Sequence, residues 1–396
     1  QLPPGEYEVT SSWRFYRPDD NGRTKVDTPK SRIRVKIKAG ETLQAPDLVL
    51  IPAQKPDILP AKGILADFDP QKPQFLDALI KTYQDFYEIP GVSLALIKDG
   101  KVIYHQTYGY KNYLTKEPVN GNTLFEAASI SKPVFAFAVL RLAERGIIDL
   151  DKPLHTYLTF PDIAYDERYK LMTARHVLSH QTGFPNWASN NPDGKIDLKF
   201  TPGQGYGYSG EGFEYLKRVV AHITQKDMDD ILQEEVLDPL GLKPTYYSKT
   251  DDYLQKVVAN GHYDNLPTRA SLPAEPRVAS SMHTEAKIFC NFILGVQNRK
   301  VLKPETYAEM FKKHTEIPED DRDHDWEEYF GLGLLFEKAP HGKVFQHGGN
   351  NGDFKCQFKM YEDLNMGFAI FTNSEYGDEL TDHMDELLIT GKKTKK

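Results

Sequence analysis

The sequence predicts an α/β (α+β) fold: an antiparallel sheet flanked by helices, with an all-helical insertion and a small N-terminal β segment. Three observations carry this prediction. Two apolar strands flank Asp99-Gly100 within residues 92–110. Residues 150–295 read as helix and loop. Strands then return at 329–373, and a helix closes the chain. A sheet assembled from both ends of one domain, with a helical region between, buries the apolar face of each element. The expected boundaries are 1–53 for the β segment, 54–72 for a linker, 73–390 for the main domain and 391–396 for a basic tail.

Each element has a local reason. SRIRVKIK at 31–38 alternates Ile33, Val35 and Ile37 with Arg32, Arg34, Lys36 and Lys38, the period of a half-buried strand. EYEVTSSWRFY at 6–16 is rich in β-branched and aromatic residues and reads as a second strand, and DDNG at 19–22 as a turn. PAQKPDILPAKG at 52–63 carries three prolines and reads as linker. A helix is expected from Pro73 or Gln74, with Leu76, Leu79, Ile80 and Tyr83 on one face and Pro90-Gly91 as its stop.

Asp99-Gly100 between apolar runs signals a hairpin. A long apolar helix is expected at about 130–145, ended by Gly146. GEGFEYLKRVVAHITQ and DMDDILQEEVLDPLGL are amphipathic helices. SSMHTEAKIFCNFILGV is a third, with Ser281 or Thr284 as the expected N-cap. YFGLGLLFEK, KVFQHGG, DFKCQFKMY and MGFAIFTN are strands, and DELTDHMDELLI is the closing helix. No internal repeat marks a solenoid.

The composition narrows the class. The chain has 396 residues, 39% hydrophobic and 27% charged, enough to bury a sizeable core. No apolar run approaches the roughly 18 residues of a membrane helix, so no membrane span is expected. Lys plus Arg is 49 and Asp plus Glu is 57, so the net charge is 49 − 57 = −8, which argues against a nucleic-acid partner. The terminal GKKTKK reads as a solvated tail. Cys290 and Cys356 form no C-x-x-C pair and no metal spacing; buried free thiols are expected, with a disulfide left open. The chain starts at Gln1 without a charged-then-apolar leader, which fits a cleaved signal or a trimmed chain.

Two segments compete for the nucleophile. GYGYSGEG at 205–212 looks like a G-x-S-x-G elbow around Ser209, but position 211 is Glu, and a Pro/Gly loop precedes it where an elbow needs a strand. Ser129-Ile130-Ser131-Lys132 is the only S-x-x-K in the chain. It opens the most apolar helix, and an offset of three puts Ser129 and Lys132 on one face. A desolvated lysine there would lose basicity and take the serine proton. The helix N-terminus favours developing negative charge. Pro133 fits the first turn. From the tetrapeptide alone, an N-capping serine beside a surface lysine stays open.

A wider set of segments resolves this. IPGVSLALIKDGKVIYHQTYGYKN, TLFEAASISKPVFAFAVLRLAERGIIDLDKPL, TARHVLSHQTGFPNW, FTPGQGYGYSGEGF and FQHGGNNGDF together resemble the serine β-lactamase-like superfamily over roughly residues 73–390. Its members include class C β-lactamases, D-alanyl-D-alanine carboxypeptidases, D-aminopeptidases and family VIII esterases. The resemblance implies Ser129 as nucleophile and Lys132 as its base. It implies Tyr208, in Tyr208-Ser209-Gly210, as a proton shuttle with a pKa lowered by the lysine. Gly210 stands where lactamases carry a side-chain amide, which puts β-lactam recognition in doubt. His347-Gly348-Gly349 takes the place of the K-T-G or H-x-G strand, with Gly348 and Gly349 letting substrate approach and His347 changing charge between pH 5 and 8. The backbone N–H groups of Ser129 and Asn350 are the implied oxyanion donors.

The expected protein is therefore a metal-independent serine hydrolase with no cofactor. It would act through an acyl-enzyme on a small ester, amide or peptide, and the resemblance places it in the periplasm or secreted. The alternative is a penicillin-binding or sensor-type protein that acylates without efficient turnover. A third reading makes the N-terminal β segment a glycan- or peptide-binding module. That segment resembles a transthyretin-like β-sandwich module over about fifty residues, and a simple β extension explains it equally. Tyr263-Asp264-Asn265 is a competing Y-x-N placed too late in the chain. His176 and His180 have metal spacing but lack the Glu of H-E-x-x-H. Asp323-His324-Asp325 reads as solvated surface, and Phe184, Trp187 and Tyr206 as packing or cleft wall.

Overall fold

A computed structural model describes residues 5–11, 16–17, 24–25, 31–37, 59–249, 253–268, 270, 272–322 and 326–391. It divides into two units, Gln1–Ile58 and Leu59–Lys396. In the first, β1 (Gly5–Ser11) pairs antiparallel with β2 (Ser31–Ile37), setting Val9 opposite Ile33 and Tyr7 opposite Val35. Both strands were expected. The turn read at 19–22 lies outside the described residues, as do residues 54–58, the 323–325 loop and the tail beyond Gly391.

The second unit begins with residues read as linker. They pack instead: Leu65 is fully buried, and the Ile64 N–H donates to the Leu387 carbonyl at 3.1 Å. The helix α1 (Gln74–Tyr87) follows, with Leu76, Leu79, Ile80 and Tyr83 buried as their spacing predicts. Next come β3 (Gly91–Lys98), β4 (Lys101–Asn112) and the short β5 (Glu117–Pro118). Asp99 and Gly100 both take positive φ, 51° and 73°, as a tight hairpin requires.

The long helices between the two halves of the sheet are α2 (Ser131–Glu144), α3 (Gly210–Thr224) and α4 (Ala286–Gln297). The chain then returns as β6 (Thr315–Glu316), β7 (Glu328–Phe330), β8 (Leu335–Ala339), β9 (Gly342–Asn350), β10 (Lys355–Tyr361) and β11 (Met366–Thr372). The sheet order is β6-β7-β8-β9-β10-β11-β3-β4-β5, antiparallel throughout. Its first and last long strands meet where β11 pairs with β3, Ala369 opposite Ala95.

One cap differs from expectation. Residues 283–284 stay extended, paired with Phe125–Glu126, so neither Ser281 nor Thr284 can cap α4. Glu285 does so, accepting the N–H groups of Lys287 and Ile288. Ser281 donates to the Tyr247 carbonyl instead.

Helix α2 is apolar on all sides and lies in the core: every residue from Ser131 to Leu140 is buried. A buried Phe135 or Phe137 contributes about 1.5–3 kcal/mol each. That surround fixes the start of the helix, where the S-x-x-K lies. Among the described residues no helix is long and apolar enough to cross a membrane.

Candidate active site

Ser129 sits in a tight turn, Ala128–Ile130, that leads into α2. Ala128 has φ of 46°, a left-handed backbone seldom used by residues with a side chain. Four hydrogen bonds hold it there. The Ala127 N–H donates to the Met282 carbonyl at 2.7 Å, and the Ser131 hydroxyl to the Ala128 carbonyl at 2.5 Å. The Met282 N–H donates to Ser131 Oγ at 3.0 Å, and the Cys356 thiol to the Ala127 carbonyl at 3.0 Å. Strained backbone persists where its surroundings over-determine it in this way.

Lys132 lies one turn on and is fully buried. Its Nζ is 3.0 Å from Ser129 Oγ and donates to the Ala279 carbonyl at 2.9 Å. It also lies 4.7 Å from the centre of the Tyr208 ring. Burial pulls its pKa down to about 7, and the charge of Glu214 works against that fall. The surface-lysine alternative is excluded. Glu214 accepts the Ala279 N–H at 3.1 Å and pairs with Lys217 at 2.8 Å, so one peptide unit joins lysine and carboxylate.

Tyr208 shares a hydrogen bond with Ser129. Burial pushes its phenol above the usual range, opposite to the lowering expected from a lysine neighbour. The phenol therefore stays protonated. Beneath it lies His180, whose Nδ1 accepts the Ser209 N–H at 3.1 Å. Ser209 is 1% exposed and caps α3: its Oγ accepts the Gly212 N–H at 3.1 Å and donates to the Pro185 carbonyl at 2.8 Å. It is no nucleophile. Gly210, expected to touch substrate, is buried under the Trp187 indole.

On the opposite wall, β9 carries His347, Gly348 and Gly349. His347 is 4% exposed, and burial together with the Lys132 charge pulls its pKa to about 3. It is neutral from pH 5 to 8, which corrects the expected change of charge. Nδ1–H donates to the Gly348 carbonyl at 2.6 Å, so Nε2 is the acceptor, and it is buried without a hydrogen bond among the described residues. The two glycines differ. A Cβ at Gly348 would meet open space; one at Gly349 would lie 2.4 Å from Cys356 Sγ and 2.5 Å from the Ala127 carbonyl. Gly349 thus packs β9 against the nucleophile turn. Asn350 follows, its Oδ1 taken by Lys355 at 2.9 Å and by the Gly352 N–H at 2.8 Å.

A cleft of about 730 Å³ brings these groups together, lined by Ser129, Asn186, Trp187, Tyr206, Tyr208, Phe330, His347, Gly348, Gly349 and Asn350 among others. Tyr263 is 47% exposed on a separate hairpin and does not line it. His176 packs beside Gly203 and His180 under Tyr208; among the described residues no group of three or more His, Cys, Asp or Glu could hold a metal. Cys290 and Cys356 are both free and buried.

Comparison with known proteins bears on this arrangement. Residues 76–390 match the beta-lactamase family model. The chain is 23% identical to Penicillin-binding protein 4* of Bacillus subtilis (strain 168), over 78% of this chain and 73% of that one. It is 22% identical to protein flp of Staphylococcus aureus (strain MW2), over 81% and 67%. Among solved structures, the octameric penicillin-binding protein homologue from Pyrococcus abyssi superposes with a TM-score of 0.70 at 20% identity, covering 80% of this chain and 77% of that one. EstCE1, a hydrolase with promiscuous acyltransferase activity, superposes with a TM-score of 0.66 at 19% identity, covering 78% and 96%. The two structures share the mixed fold described above, a large antiparallel sheet flanked by helices.

Proposed function

Because the chain belongs to the beta-lactamase family, we propose that it is a metal-independent serine hydrolase acting through an acyl-enzyme on small esters, amides or peptides. The observation that carries this is the buried Lys132 amine, 3.0 Å from Ser129 Oγ with a pKa near 7. An amine that is partly neutral at neutral pH can take the serine proton, which a surface lysine cannot.

The steps follow from the positions of the groups. Ser129 Oγ attacks the carbonyl carbon, and its proton passes to Lys132 Nζ. The carbonyl oxygen takes up negative charge, which the backbone N–H groups of Ser129 and Asn350 would accept. As the bond to the leaving group breaks, the Tyr208 phenol donates its proton to that group and recovers one from Lys132. Water then attacks the acyl-enzyme, losing its proton along the same path in reverse, with His347 Nε2 as an acceptor that orients it. No metal or cofactor enters any step.

The acylating-sensor reading differs in its last step alone, the attack of water. Steady-state assays of wild type and Ser129→Ala on p-nitrophenyl esters, D- and L-aminoacyl anilides and nitrocefin separate the readings. Ser129-dependent turnover on any of them supports the hydrolase. A stable adduct without turnover supports the sensor. Turnover that Ser129→Ala retains contradicts both.

A further inference from the structure

Position 210 has no side chain, and other residues occupy its place. A Cβ on Gly210 would lie 2.6, 2.7 and 3.0 Å from three carbons of the Trp187 indole, so that ring fills the volume. Asn186 approaches the same point. Its main-chain carbonyl accepts the N–H groups of Gly210 and Glu211 at 3.0 and 3.1 Å, and its Oδ1 also accepts the Gly210 N–H at 3.0 Å. An N–H donor requires the oxygen end of the amide, so the orientation is set and Nδ2 is the end left over. Among the described residues Nδ2 has no acceptor. Asn186 and Trp187 line the cleft with Ser129, alongside Tyr206 and Phe330, whose rings stack at 5.9 Å.

We propose that Asn186 and Trp187 form the acyl-group subsite of this chain, Asn186 Nδ2 donating to a carbonyl in the acyl part of the substrate and the Trp187 indole packing on an apolar group beside it. The proposal rests on the Ser129 hydrolase reading. A donor whose rotamer is already held costs little ordering on binding. An aromatic wall adds apolar area without adding polar demand. The favoured substrates are therefore acyl groups with an internal amide next to an apolar side chain, such as N-acylated amino-acid esters. A bare acetate ester offers neither feature.

The competing account makes Asn186 only a clamp on the start of α3. Asn186→Asp keeps an oxygen for the Gly210 N–H and removes the donor; Asn186→Leu removes both. The measurement is kcat/KM for N-acetylphenylalanine p-nitrophenyl ester relative to p-nitrophenyl acetate, in wild type and both variants, using the Ser129-dependent rate. The ratio is expected to fall about tenfold in each, the size of one hydrogen bond. A ratio that moves less than threefold in either variant overturns the Asn186 assignment, whatever the absolute rates. Trp187→Leu should lower the preference for the N-acetylphenylalanyl over the N-acetylalanyl ester by a similar factor, and an unmoved preference overturns the Trp187 assignment. Failure of the hydrolase reading itself looks different: Ser129→Ala would then keep the wild-type rate on every ester.

Discussion

The imidazole of His180 is stacked on the phenol of Tyr208, ring centroids 4.3 Å apart and planes 25° from parallel. Its Nδ1 accepts the Ser209 N–H, so the proton sits on Nε2. Burial and the charges of Lys132 and His347 hold its pKa well below the usual value, and the ring is a neutral platform. His180→Ala should lower kcat between about tenfold and a hundredfold by letting Tyr208 drift. It should also cost about 1–3 kcal/mol of stability through the orphaned Ser209 N–H. His180→Phe keeps the stack without the acceptor and should retain more of kcat. Steady-state kinetics with urea unfolding of the three proteins checks this.

Lys132 sets the pH dependence. It must be neutral to take the Ser129 proton, so kcat/KM should fall as pH drops through about 7 and level off above it. Stability moves with pH as well. The folded pKa lies below the 10.5 of the free side chain, so the unfolded chain binds more protons between those values. Stability should therefore rise with pH from about 7 towards 10.5. Lys132→Met lacks this dependence, and its Tm should exceed that of wild type by more at pH 6 than at pH 9. A gap that widens with pH contradicts the assignment.

Glu214 raises the Lys132 pKa from the far side of the Ala279 peptide. Glu214→Gln removes that charge, so the acid limb of kcat/KM should move to lower pH. Lys217→Met, which frees Glu214 from its partner, should leave the limb where it is or raise it. pH profiles from pH 5 to 9 decide the matter. A limb unmoved by Glu214→Gln leaves that residue a structural role only.

The two strand glycines should behave oppositely. Gly349→Ala forces a methyl against the Ala127 carbonyl and Cys356, and should cost about 1–3 kcal/mol together with much of the activity. Gly348→Ala points into open space and should leave the Tm within a degree or two. Differential scanning calorimetry of both variants reads this directly.

What was legible in the sequence depended on local chemistry. Asp99-Gly100 encodes its own turn, and Leu76, Leu79, Ile80 and Tyr83 encode the buried face of α1. Ser129 and Lys132 are joined by helical spacing and needed only the apolar run behind them. The rest is assembled across the chain. His180 meets Tyr208 and Glu214 meets Lys132 through packing that no periodicity reports. The direction of the Tyr208 shift was misjudged because burial outweighs the lysine, and the charge of His347 for the same reason. Glu285 caps α4 because residues 283–284 stay in a strand pair, a tertiary preference that overrides the capping tendency of Ser281 and Thr284.

The central claim is that Ser129 is the group that becomes acylated. The direct measurement is intact-mass spectrometry with peptide mapping after exposure to a fluorophosphonate, on wild type and Ser129→Ala. One adduct per chain on the peptide holding Ser129, absent from the variant, is the predicted result. An adduct of equal yield in Ser129→Ala, or one mapped to Ser209 or any other residue, would contradict it.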